Sequence, residues 1–150
     1  MPQVRIILGS KSDIKQGEKI KEFLEKFGVE YDFYVSSAHR KPEQTANLAK
    51  NAEKEGIKVI IAAAGMAAHL PGVIASHTVL PVIGVPLSGS ALSGEDALFS
   101  VVQMPTGVPV ATVAIDGGKN AAVLASQIIA VSDENVKSRL KTYKKELSEA

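Results

Sequence analysis

Short apolar runs that alternate with helix-patterned segments constrain this chain more than any other feature of it. The first run, VRIILGS at 4–10, is rich in β-branched residues and ends in Gly-Ser, the form of a strand buried on both faces. Behind it, Asp13 and Gln16 match a capping box, and Ile20, Phe23, Leu24 and Phe27 recur at helical spacing before Gly28 stops the helix. YDFYVSS at 31–37 predicts a second strand. Pro42 then opens a helix with a small-residue face of Ala46, Ala49 and Ala52, ended by Gly56. IKVIIAAAG at 57–65 is the third strand, and a short helical stretch lies within 66–79. LPVIGVP at 80–86 is the fourth, with Pro81 tolerable at its first residue. A helix from Glu95 to Gln103 leads to a fifth strand, VPVATVAI at 108–115, and a DGG turn. Two helices close the chain: Ala121 to Val131, apolar almost all round, and one starting near Asp133 with Val136, Leu140, Tyr143 and Leu147 in a narrow stripe.

Strand and helix alternating five times predict an α/β fold. The expected form is a three-layer, mainly parallel, doubly wound sheet of the flavodoxin-like or Rossmann-like kind, with helices on both faces and a C-terminal helix. At 150 residues and 45% apolar content the chain makes one domain, 1–150. Seventeen basic against 16 acidic residues leave no field to draw nucleic acid or an anionic membrane, and 5% aromatic residues are too few for a base-stacking platform. The absence of cysteine excludes disulfides, thiolate metal sites and cysteine nucleophiles, and three scattered histidines make a poor ligand set, so no metal is expected. MPQVRIILGS lacks the charge and length of a leader, and the longest apolar stretch, Val59 to Ala68, is too short to cross a bilayer. These features predict a soluble cytoplasmic protein.

In such folds the ligand sits at the carboxyl ends of the strands, near a reversal of strand order. The loops there are GSKSD (9–13), SSAHR (36–40), AGMAAHLPG (64–72) and PLSGSALSGED (86–96), rich in Gly, Ser and His. Gly9 permits close backbone approach, Ser10 and Ser12 offer hydroxyls, and the helix behind them offers free N–H groups to a phosphate. Arg40 adds a forked cationic donor. Singly, each feature has an ordinary structural reading: serines cap helices, Asp13 is an N-cap, His39 is a loop histidine, and His69 is a core histidine bonded to a carbonyl. His77 stands alone and reads as structural. Two histidines, an arginine and three serines converging on one sheet edge favour a site.

GSKSD, SAHR, AGMAAHLPG, PVIGVP and ALSGEDALFSVVQMPTGVPVATVAI together resemble the catalytic phosphoribosylaminoimidazole carboxylase (PurE) family of purine biosynthesis, over nearly the whole chain. SAHR and AAHLPG resemble its mutase branch, which converts N5-carboxyaminoimidazole ribonucleotide to 4-carboxy-5-aminoimidazole ribonucleotide. The direct carboxylase branch, which adds carbon dioxide to aminoimidazole ribonucleotide, tends to carry lysine after the motif histidine. The resemblance implies that Ser10 and Asp13 bind phosphate and ribose, with Ser37 and Arg40 completing the phosphate side. His39 would be the general acid/base. Ala64, Gly65, His69 and Leu70 would line the pocket around the imidazole and the migrating carboxyl group, with Ser12 nearby. Met66 departs from the family, which usually has a second glycine there; its side chain either alters the loop or points away from the pocket.

The residue types suit the reaction. Histidine, with an ordinary pKa of about 6.5, is able to protonate a departing nitrogen and later accept a carbon-bound proton near neutral pH. Neither step requires ATP or a cofactor, and no Walker motif is present. The resemblance further implies a homo-octamer with sites at subunit junctions and a substrate supplied by an ATP-dependent synthetase; the apolar helix 121–131 independently suggests self-association. Three rival readings differ in what they require: a direct carboxylase of the same fold, a non-catalytic flavin- or nucleotide-binding module, and a phospho-receiver. The last needs an acceptor aspartate at the end of its third strand, where this chain has AAAG.

Overall fold

β1 (Val4–Leu8) forms the wholly buried strand that its β-branched composition predicts. The computed structural model describes residues 1–66 and 69–150. In chain order β1 is followed by a 3-10 turn (Lys11–Asp13), α1 (Ile14–Lys26), β2 (Tyr31–Val35), α2 (Pro42–Ala52), β3 (Val59–Gly65) and α3 (Leu70–Ala75). Then come β4 (Val82–Leu87), α4 (Glu95–Val102), β5 (Ala111–Thr112), α5 (Gly118–Ala130) and α6 (Glu134–Glu149). All pairings are parallel in the order β2-β1-β3-β4-β5, with Val4 opposite both Tyr31 and Val59. The direction of winding therefore reverses between β1 and β3, the flavodoxin-like arrangement.

Two apolar layers hold helices to the sheet. On one face Val4, Ile6 and Leu8 pack with Ile20 and Leu24 of α1, Ala121, Ala125 and Ile129 of α5, and Val136 of α6. On the other, Ile7, Ile60 and Ala62 pack with Ala49 and Ala52 of α2 and with Leu70 and Ile74 of α3. Each fully buried leucine or isoleucine contributes about 1.5–3 kcal/mol relative to exposure. α5 is apolar on several sides because α1 covers one and α6 another. Tyr143 of α6 packs edge-to-face on Phe23 and Phe27 at the end of α1, with centroids 5.9 and 5.3 Å away, and the two phenylalanines pack edge-to-face on each other at 6.2 Å. Val123, Leu124, Leu140, Tyr143 and Leu147 still border an open groove of about 760 Å3 along α5 and α6. Among the described residues no helix is long and apolar enough to cross a membrane.

Local signals mostly act as their chemistry dictates. Gly28 has φ 71, and the bonds Gly28 N–H to Glu25 O at 3.0 Å and Val29 N–H to Leu24 O at 2.9 Å close α1 with a Schellman motif. The expected capping box does not form. Ser10 instead caps a 3-10 turn ahead of α1, Asp13 makes no capping bond, and Gln16 Oε1 is buried near Gly118 without a partner among the described residues. β5 is much shorter than the expected 108–115: this edge segment includes Pro109, which has no N–H to donate, and only Ala111 and Thr112 pair as strand.

Arg5 is the main surprise in β1. Only 1% exposed, it bonds Asp32 through Nε at 3.0 Å and NH2 at 2.7 Å, Glu55 through NH2 at 2.6 Å, and the Leu48 carbonyl through NH1 at 2.9 Å. Burial lowers its pKa, but the bonds and charges of Asp32 and Glu55 outweigh burial and hold it above the ordinary value. The guanidinium thereby ties β1 to β2 and to the end of α2.

Candidate active site

The reversal between β1 and β3 leaves a crevice beyond the carboxyl ends of the strands, and four loops meet there. Gly9 N–H donates to Ala63 O at 3.0 Å, which carries β1–β3 pairing one residue past the strand. The chain then turns sharply: Ser10 Oγ accepts from Ser12 N–H at 3.3 Å and lies 3.0 Å from Ser12 Oγ. Asp13 N–H donates to Ser10 O at 3.1 Å. Burial pushes the Asp13 carboxyl up from the ordinary carboxylate value, partly offset by hydrogen bonds from the Ser10 backbone and the Ser12 side chain. A semi-buried carboxylate beside two hydroxyls is suited to accept from ligand hydroxyl groups.

The second loop is organised from below. Ser36 Oγ and Thr45 Oγ1 lie 2.7 Å apart, and both residues are buried. Thr45 Oγ1 also donates to Lys41 O at 2.9 Å, while Lys41 N–H donates to Ser37 O at 2.8 Å. Arg40 N–H donates to Ser37 Oγ at 3.2 Å. His39 and Arg40 therefore project from a turn whose base is fixed to α2, and both side chains are exposed. Arg40 makes no ion pair among the described residues, which leaves its guanidinium for an anionic ligand.

These loops enclose a cavity of about 620 Å3, a size suited to a mononucleotide-sized ligand. Ser10, Ser12, Asp13, Ser37, His39, Arg40, Ala64 and Gly65 all line it, eight of the ten residues singled out in the sequence. His69 and Leu70 are not on its described wall. The His69 Nδ1–H donates to Ser100 O of α4 at 2.7 Å, and its ring fills the space over Gly72, where a Cβ would stand 2.0 Å from Nε2. Leu70 is 1% exposed and belongs to the core beneath the loop, close to Gly9. His69 is thus half-buried, with its ring bonded to a backbone carbonyl. Ala67 and Ala68 of the AGMAAHLPG loop lie outside the described residues.

Five wall residues were not among those ten: Gly9, Met66, Ser88, Gly89 and Ser90. The loop holding the last three was visible as a Gly/Ser-rich strand end, but its spacing singled out no one residue. Met66 has φ 56, a left-handed backbone that favours glycine, and is 66% exposed at the cavity. Ser88 is fixed from a distance: its N–H donates to Asp116 Oδ1 at 3.0 Å and its hydroxyl to Asp116 Oδ2. No cluster of metal-ligating side chains occurs among the described residues.

The sequence matches the family model described as AIR carboxylase over residues 3–150. A Pyrococcus horikoshii protein named N5-carboxyaminoimidazole ribonucleotide mutase is 55% identical over 97% of this chain and 82% of its own length. A Thermotoga maritima protein of the same name is 53% identical over 98% of this chain and 86% of its own length. The crystal structure of Treponema denticola PurE superposes with a TM-score of 0.89 at 32% identity, covering 99% of this chain and 93% of that one. A parallel sheet wound in the 2-1-3-4-5 order, a family match spanning nearly every residue and half-identical relatives agree: the chain belongs to the AIR carboxylase family.

Proposed function

We propose that this protein is an N5-carboxyaminoimidazole ribonucleotide mutase, an isomerase of purine biosynthesis acting on a small ribonucleotide. The observation that carries the reading is the meeting of the His39–Arg40 turn and the Ser10–Asp13 turn on one cavity, in a chain half-identical to proteins of that name. Arg40, Ser37 and Ser10 take the phosphate, and Asp13 takes ribose hydroxyls. Ala64 and Gly65 give a small apolar wall against the imidazole, which limits water and retains carbon dioxide between steps. His69 and Leu70 act from behind, holding the start of α3 against α4 and the core.

His39 serves as the proton shuttle. As the N5–carboxylate bond breaks, its imidazolium gives a proton to the exocyclic nitrogen, and carbon dioxide and aminoimidazole ribonucleotide remain together in the cavity. C4 of the imidazole then bonds to carbon dioxide, and neutral His39 removes the C4 proton, which restores the ring and the imidazolium. Protons balance over the cycle, and ATP does not enter it. The substrate is a labile carbamate, so an ATP-dependent synthetase must supply it. The apolar groove along α5 and α6 supports self-association, for which the family resemblance gives a cytoplasmic octamer.

The test is a paired assay of 4-carboxylated product without ATP, one cell holding fresh N5-carboxyaminoimidazole ribonucleotide and the other aminoimidazole ribonucleotide with bicarbonate. Efficient turnover in the first cell alone is expected. Efficient turnover in the second at low bicarbonate would make the protein a direct carboxylase, and silence in both would refute catalysis.

A further inference from the structure

Both serines that the β4 loop brings to the cavity have their hydroxyl protons committed to carboxylates. Ser88 donates its N–H at 3.0 Å and its O–H to the two oxygens of Asp116, and Ser90 Oγ–H donates to Asp96 Oδ1 at 2.9 Å. A carboxylate only accepts, and a hydroxyl has one proton to give, so each serine turns lone pairs toward the cavity. The opposite wall has the reverse polarity, since the Arg40 guanidinium only donates. β4 lies three strands from β2 in the sheet, which separates the two loops by about 14 Å at ordinary strand spacing.

Asp116 is itself held in an uncommon conformation. Its φ of 58 lies in the left-handed region, and its N–H donates to Pro86 O at 2.8 Å across the β4–β5 edge. Backbone strain of this kind persists where the surrounding bonds over-determine it. Here those bonds aim the carboxylate at a loop 28 residues earlier in the chain.

We propose that Asp116 is a positioning residue that fixes Ser88 as a hydrogen-bond acceptor, so that the Ser88–Ser90 loop binds the N–H or O–H groups of the ligand remote from its phosphate. The inference rests on the ribonucleotide reading and deepens it: phosphate is attracted to Arg40 and disfavoured by the acceptor-lined β4 loop, so the substrate enters in one orientation. Its donors have two sources, the amino group on the imidazole and the ribose hydroxyls.

Two variants test this. Asp116→Asn replaces one acceptor oxygen with an amide donor and frees the Ser88 proton to face the cavity; Ser88→Ala removes the side-chain acceptor. Binding of aminoimidazole ribonucleotide, ribose 5-phosphate and inorganic phosphate is measured by calorimetry, alongside steady-state mutase kinetics. Both variants are expected to bind aminoimidazole ribonucleotide roughly fivefold more weakly, the scale of one net hydrogen bond, and to raise KM more than they lower kcat. Inorganic phosphate should bind as in the wild type. A loss confined to aminoimidazole ribonucleotide assigns the amino group to Ser88, and a loss shared with ribose 5-phosphate assigns a ribose hydroxyl. Unaltered affinity in both variants, or an equal loss for inorganic phosphate, overturns the proposal; should Asp116→Asn not fold, Ser88→Ala decides alone. A wild-type protein inert toward its substrate overturns the mutase reading and this assignment together, whereas active wild type with unaltered variants overturns only the Ser88 subsite.

Discussion

Replacing Thr45 with valine keeps the shape of a fully buried side chain and deletes one hydroxyl. That hydroxyl gives its proton to Lys41 O at 2.9 Å, so its lone pairs receive the proton of buried Ser36 Oγ, 2.7 Å away. Lys41 O keeps a second donor, Thr45 N–H at 3.1 Å, but Ser36 loses its hydroxyl partner. An orphaned buried donor costs about 1–3 kcal/mol, so Thr45→Val should destabilise by about 2 kcal/mol. For a chain of this length that lowers the melting temperature by about 4–8 °C. Removing both hydroxyls leaves no orphan, and Ser36→Ala with Thr45→Val should recover to within about 1 kcal/mol of the wild type. Urea unfolding at one fixed protein concentration measures the cycle, the concentration being held because self-association shifts apparent stability. Turnover separates the two roles of the pair: the double variant regains stability but keeps a reduced kcat/KM, since the His39–Arg40 turn has lost its tie to α2. A Thr45→Val protein within about 0.5 kcal/mol of wild type, or a double variant less stable than that single one, refutes the reasoning.

Four other substitutions probe the site and its support. His39→Asn should retain ribonucleotide binding by calorimetry and lose turnover; normal turnover would end its assignment as the shuttle. Arg40→Ala removes charge-assisted bonds to phosphate and should raise KM roughly ten- to a hundredfold with a smaller change in kcat, and an unchanged KM would exclude the phosphate role. Asp13 has a folded-state pKa raised by burial, so the stability it contributes is complete below the unfolded value of 3.8 and lost as pH rises through the folded one. Asp13→Asn should therefore melt higher than wild type at pH 7 and bind ribonucleotide more weakly, with the melting difference vanishing in acid; a variant less stable at pH 7 would contradict the sign. Arg5→Ala empties a buried position and leaves half-buried Asp32 and exposed Glu55 without their cation; because solvent screens both carboxylates, it should cost about 2–3 kcal/mol in denaturant unfolding, and a loss below about 1 kcal/mol would show that the guanidinium adds no net stability.

What the sequence made legible was whatever local chemistry decides. Gly28 ends α1 because a left-handed residue is needed there, and the alternation of apolar runs with Ile20- and Ala49-type spacing is enough to set the layers. Parallel winding then brings SSAHR and GSKSD to one crevice, which is why most of the wall was readable. Features that depend on distant partners were hidden. Nothing near Arg5 in sequence announces Asp32 and Glu55, and a charge inside VRIIL passed as part of an apolar strand. Asp13 and Gln16 matched a capping pattern, but α5 brought Gly118 against Gln16 and Ser10 took the cap. His69 had two readings that differ only in the presence of Ser100 O, thirty-one residues away. Ser88 depends in the same way on Asp116, which the DGG turn presented simply as punctuation.

The sheet face closed by α5 has a consequence for how the protein is made. Ile6, Leu8, Ile20 and Leu24 belong to the first part of the chain, but Ala121, Ala125 and Ile129, which cover them, are synthesised near its end. The opposite face is sealed much earlier, by α2 and α3. A nascent chain thus leaves the ribosome with one side finished and the other adhesive, a natural client for chaperones until Gly118–Ala130 has emerged. Any message truncated before that helix yields a protein whose first strand and first helix are never covered, and proteolysis rather than partial activity is its expected fate.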